Sequence, residues 1–127
     1  MAQEFPRTRR IGEQMRRDLA ELIRSEIDDP RMAMVSITSI EVSRDLAHAK
    51  IYVTYLGEPG ARTDIIAGLN HAATALRREL AGRMRLRTMP RLAFSYDEVV
   101  ERGARLSALI DRAVADDAAR HQEPDQD

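Results

Sequence analysis

Six arginines and a single acid, Glu79, crowd the stretch from Arg77 to Arg91: Arg77, Arg78, Arg83, Arg85, Arg87 and Arg91. Three of them, Arg83, Arg85 and Arg87, alternate with Met84 and Leu86. If the segment is extended, alternation places the guanidiniums on one face and the apolar pair on the other. If it is helical, Arg83 and Arg87 still share a face at i, i+4. Like charges gathered this way repel, so the arrangement favours an anionic partner. Guanidinium forks match phosphate oxygens in a bidentate way. A second run, Pro6 to Arg17, holds Arg7, Arg9, Arg10, Arg16 and Arg17 against Glu13. The candidate contacts to an RNA backbone are therefore Arg77, Arg78, Arg83, Arg85, Arg87 and Arg91, joined by Arg9 and Arg10 with Arg7 beside them. The competing explanation is a solvated face neutralised by ion pairs from elsewhere, in a chain where 19 of 20 basic residues are arginine.

Catalytic patterns are missing. There is no Walker loop, HExxH, GxSxG or GxGxxG. His48, His71 and His121 lie far apart and make no ligand spacing, and cysteine is absent. Asp28-Asp29 could hold a cation, but a carboxylate pair before Pro30 reads better as a helix end. No catalytic residue, metal or cofactor is expected. Gly57-Glu58-Pro59-Gly60 has the letters of a GxxG phosphate clamp. A carboxylate and a proline without an N–H fill its middle, however, so it reads as an ordinary turn. The five aromatics are Phe5, Tyr52, Tyr55, Phe94 and Tyr96. Four fall on strand patterns, which leaves few rings for stacking unpaired bases. Recognition by phosphate position and RNA shape is the expectation. Four to six neutralised phosphates would give a log–log salt slope of about −3 to −5.

The net charge of −1 hides this clustering. Residues 116–127 carry five acids and one base, which leaves the preceding chain at +3. No apolar run is long enough to span a membrane. The basic start has no apolar stretch after it, so a secretory signal is not expected.

The elements that must position these residues follow from periodicity. Ile11, Met15, Leu19, Leu22, Ile23 and Ile27 predict an amphipathic helix over 9–28, stopped by Pro30. Strands are expected at 34–43 and 47–56, paired antiparallel across a short turn. The apolar phase slips between Ile37 and Ile40, which suggests a bulge. After a loop at 57–62, Thr63 is a candidate N-cap for a helix carrying Ile65, Leu69, Ala72, Leu76 and Leu80. Leu92, Phe94 and Tyr96 predict a third strand, residues 98–115 a last helix, and residues 116–127 an acidic, disordered tail. On this reading Glu98 and Glu101 pair with Arg102 and Arg105. The fold class is α+β: one domain over 1–115, a three-stranded sheet with helices on one face, plus the C-terminal helix. The order α-β-β-α-α-β is that of a type II KH domain.

Several phrases together resemble the ribosome-binding factor A family. They are Arg9-Arg10-Ile11, Ile27-Asp28-Asp29-Pro30-Arg31, Val42-Ser43-Arg44-Asp45-Leu46, Ala49-Lys50-Ile51-Tyr52-Val53, Leu76-Arg77-Arg78, Met84-Arg85-Leu86-Arg87, Pro90-Arg91-Leu92 and Phe94-Ser95-Tyr96-Asp97. The resemblance runs from about residue 4 to 115. It implies a KH-like, non-enzymatic cytoplasmic monomer without cofactor, and the small (30S) ribosomal subunit with its 16S rRNA as partner. The implied role is to help that RNA mature. The alternative is a module that binds acidic protein partners. The family replaces the GxxG clamp by a helix pair kinked at Ala-x-Gly. The matching stretch here, Ala72-Ala73-Thr74, has Thr where Gly is usual. The bend is expected there or later, near Ala81-Gly82.

Overall fold

The computed structural model describes residues 6–121. Helix α1 spans Pro6–Glu26, followed by strand β1, Val35–Val42, and strand β2, His48–Tyr55. Helices α2, Arg62–His71, and α3, Ala73–Arg83, lead to strand β3, Arg91–Tyr96, and then helix α4, Glu98–His121. The sheet order is β1-β2-β3, with β1 and β2 antiparallel and β2 and β3 parallel. This is a KH-like α+β fold of type II order. The chain divides into two units: one up to Asp97, and α4 from Glu98 onward.

The sheet buries one face. Along β2, Ala49, Ile51, Val53 and Tyr55 are buried while His48 and Lys50 are exposed. Ala49 pairs with Leu92 and Ile51 with Phe94, so the parallel register brings the apolar residues of β3 to the same side. On β1 the pairing shifts between Ile37 and Ser39. Ile37 faces Val53 and Ile40 faces Ile51. The irregularity lets two apolar residues three apart both turn to the core, as the phase slip predicts. Thr38 at this point donates to Tyr52 O at 3.2 Å and to Asp97 Oδ2 at 2.6 Å. Above the apolar face lie Met15, Leu19 and Ile23 of α1, Ile65 and Leu69 of α2, and Leu76 and Leu80 of α3, all buried. Each such side chain contributes roughly 1.5–3 kcal/mol.

Three boundaries differ from the sequence-based expectation, and the position of the helix bend is resolved to the first of its two expected places. Helix α1 starts three residues earlier than expected and ends at Glu26. The Asp28-Asp29 pair belongs to the following turn: Asp29 caps a 3-10 turn, Pro30–Met34, by accepting from Arg31 N at 2.9 Å. Thr63 is not an N-cap. A 3-10 turn at Pro59–Ala61 feeds helical backbone directly into Arg62, so α2 begins earlier and takes no side-chain cap. The bend falls at Ala72 (φ −85°, ψ −2°), and α3 runs on through Ala81 and Gly82. Finally, α4 continues to His121, through the first six residues of the expected tail. Alanines at 113, 115, 118 and 119 favour that continuation. Residues 122–127 lie outside the described residues.

Candidate nucleic-acid interface

Helix α1 turns Ile11, Met15, Leu19, Leu22 and Ile23 to the core. Residues 7, 10 and 14, spaced three and four apart, then share one flank of that apolar stripe. This flank faces the end of α3. Beyond Arg83 the backbone turns extended at Met84 (φ −104°, ψ 127°). Met84 is buried and Leu86 packs partly buried against the core, while Arg85 and Arg87 are exposed. The alternation seen in the sequence is therefore real for residues 84–87. Arg7, Arg10, Ile11 and Gln14 meet Arg83, Met84, Arg85 and Leu86 around an open groove of about 620 Å³. Its lining is apolar at Ile11, Met84 and Leu86 and cationic at four arginines. Among the described residues, no carboxylate lines it.

The eight arginines singled out by the sequence have different duties. Arg77 is not part of an open cationic face. Its Nε donates to Met89 O at 3.0 Å and Pro90 O at 3.1 Å, and its Nη2 to Met89 O at 2.6 Å. It pins the segment that leads into β3. Arg83 is held by Glu21 Oε1 at 3.0 Å, with Asp18 Oδ1 at 3.8 Å. It ties the last residue of α3 to α1. Arg9 lies on the other flank of α1, in a separate depression with Gly12, Glu13, Arg16 and Thr38. Arg91 and Arg77 border a smaller hollow of about 350 Å³ beside the helix break, with Ala73 and Thr74. Arg78, Arg85, Arg87 and Arg91 are exposed, and none is ion-paired among the described residues. Gln14 joins the groove without being a charged candidate, and helical spacing marks it: it stands seven residues after Arg7 on the flank just outside the apolar stripe.

Elsewhere the ionic contacts are structural. Arg31 Nη2 bridges Asp29 Oδ2 at 2.8 Å and Asp64 Oδ2 at 2.7 Å, joining the turn after α1 to the first turn of α2. Hydrogen bonds from Arg31 hold the Asp29 carboxyl below its usual pKa, and Asp29 in turn raises that of Arg31. Asn70 of α2 accepts from Phe94 N at 2.8 Å and donates to Phe94 O at 3.1 Å, so its amide occupies the outer edge of β3. Of the aromatics, Tyr55 and Phe94 are buried. Tyr96 lies under the Arg62 guanidinium at 4.8 Å, and Tyr52 lies beneath the Lys50 ammonium at 5.4 Å. Phe5 lies outside the described residues. In α4, Arg102 pairs with Glu98 at 3.9 Å, as the spacing predicts; the side chains of Glu101 and Arg105 lie outside the described ones.

Fold and groove together define a KH-like domain with an open, arginine-lined groove. The chain belongs to the ribosome-binding factor A family, whose sequence pattern matches residues 7–110. It is 57% identical over 127 residues to the ribosome-binding factor A of Thioalkalivibrio sulfidiphilus, covering 100% of this chain and 98% of that one. It superposes on the crystal structure of ribosome-binding factor A from Thermus thermophilus with a TM-score of 0.61 at 29% identity, over 70% of this chain and 94% of that one. It also superposes on a homology model of the Thermus thermophilus ribosome-binding factor A as fitted into a cryo-EM map of a complex of that factor with the 30S particle. There the TM-score is 0.56 and the identity 31%, over 66% of this chain and 88% of that one. Among the described residues, no helix is long and apolar enough to cross a membrane.

Proposed function

We propose that this protein is a ribosome assembly factor that binds the immature small subunit and assists maturation of its 16S rRNA, gripping the RNA backbone without catalysing a reaction. It acts in the cytoplasm, as a monomer. Family membership and the relative's fitted position on a 30S particle support the choice of partner. One observation carries the mode of binding. Two arginine runs more than sixty residues apart converge on one groove that no acid lines among the described residues. Arg7, Arg10 and Arg85 are the central contacts, with Arg78, Arg87 and Arg91 extending them. Arg77 and Arg83 hold the scaffold in shape. The shortage of exposed rings favours duplex or otherwise folded RNA over stacked single strands.

Sedimentation with purified small subunits tests this. Arg10, Arg85 and Arg87 changed together to Glu should abolish co-sedimentation while circular dichroism and melting stay as in the parent protein. Retention of binding by that variant would sink the proposal. Equal binding to an acidic protein, unaffected by competing rRNA, would favour the protein-interaction alternative instead.

A further inference from the structure

The turn between β1 and β2 is built with unusual care for a surface loop. Ser43 N donates to His48 O at 2.8 Å, and His48 N returns to Ser43 Oγ at 3.0 Å. Ser43 Oγ and Ala47 N both reach Asp45 Oδ1, at 2.6 and 3.0 Å. Leu46 N closes onto Ser43 O at 2.9 Å. Within this frame Leu46 has φ +59°, and among the described residues it is the one non-glycine in the left-handed region. Leucine rarely adopts that conformation. Here it tucks the Leu46 side chain partly against the core and leaves Arg44 exposed at the tip. Arg44 and Leu46 then border a hollow of about 330 Å³ whose other walls are Arg7 and Thr8. Arg7 also lines the main groove. Two basic depressions therefore share one arginine at the start of α1.

We propose that Arg44 is a further RNA-contacting residue, extending the phosphate path from the α1–α3 groove over Arg7 to the β1–β2 turn. The inference rests on the reading of that groove as an RNA-backbone site. The partner it fits is a continuous sugar–phosphate strand longer than the groove alone can engage. The fixed turn matters because a guanidinium presented on a frame closed by five hydrogen bonds loses less freedom on binding than one on a slack loop.

The test uses the full chain and two hairpin RNAs of the same sequence, one with its stem truncated so that it spans only the main groove. Affinity is measured against salt. With the long hairpin, Arg44→Ala should weaken binding about fivefold and lower the log–log salt slope by about one, the signature of one lost phosphate contact. With the short hairpin it should change neither quantity. Arg44→Lys, which keeps the charge, should retain the slope on both. An Arg44→Ala slope unchanged on the long hairpin, where Arg85→Ala lowers it, would overturn the extension and leave the groove standing. Neither variant lowering the slope would overturn both. Equal loss on long and short hairpins would also overturn the extension, because Arg44 would then lie within the central footprint.

Discussion

Arg77 and Arg85 are eight residues apart in one basic run, and they do opposite things. Arg77 spends its donors on the carbonyls of Met89 and Pro90 inside its own domain. Arg85 stands exposed on the wall of an open groove. Arg83 sits between the two in sequence and in duty, lining the groove while tied to Glu21. The difference follows from what each residue faces. Arg77 leaves α3 toward a segment that has left the helix but not yet joined the sheet, where carbonyls need donors. Arg85 lies on an extended stretch whose alternate residues, Met84 and Leu86, already hold it to the core. A run of like charges is thus not one functional unit. Part of it assembles the surface and part of it remains to be used.

The sharpest way to break this comparison is to remove Arg77. Arg77→Ala strands two carbonyls and should cost about 2 kcal/mol of stability. A urea titration would register this as a lower midpoint, and the salt slope of RNA binding by the folded fraction should stay unchanged. Arg85→Ala should do the reverse, with stability within about 0.5 kcal/mol of the parent and a salt slope lower by about one. If Arg77→Ala proved harmless to stability, or Arg85→Ala lowered it substantially, the division of labour would fail.

Arg83 sharpens the comparison from between. Its exposed pair with Glu21 should contribute no more than about 1 kcal/mol. Glu21→Gln removes an acid near the groove and releases a guanidinium, so RNA affinity should rise in a filter-binding assay. A fall in affinity would mean the ion pair holds the groove in its working shape.

The smallest effect concerns the turns. Hydrogen bonds from Ser43 and Ala47 hold the Asp45 carboxyl below its usual value of 3.8, and Arg31 does the same for Asp29. A depressed folded-state pKa contributes stability that is present above the unfolded value and is lost as pH falls through the folded one. Melting temperature should therefore be flat from neutral pH down to about 4 and decline below that. Asp45→Asn should show a shallower acid decline; an unchanged pH profile would mean that these bonds do not discriminate folded from unfolded chain.

Much of the fold was legible because its signals are local and periodic. The apolar stripe of α1 and the clean alternation of β2 each repeat one pattern over several turns or residues. The slip between Ile37 and Ile40 was legible for the same reason, since a bulge is a break in a period of two. Thr63 misled because a favourable cap residue says nothing about a preceding turn that already delivers helical backbone. The bend at Ala72 was open because alanine suits a helix, and nothing in its type marks the one residue where ψ departs. The end of α4 is not legible from composition, because acidic residues typical of a disordered tail are interleaved there with alanines that sustain a helix.

For the candidate site the division is plainer. By itself the sequence determined that arginine accumulates in two runs with little acid among it, and that residues 84–87 alternate charged with apolar. Only tertiary structure decided which of those guanidiniums meet. Arg10 and Arg85 come together because α1 packs against α3, and Arg9, one residue away, is carried to the opposite flank by the 100° step of the helix. Only tertiary structure decided, too, that Arg77 and Arg83 are engaged, since their partners lie at Met89, Pro90, Asp18 and Glu21 across the fold. Charge is a property of residue type and is written along the chain. Whether that charge is answered within the molecule depends on the neighbours brought by packing, and for Arg83 and Glu21 those are 62 residues apart.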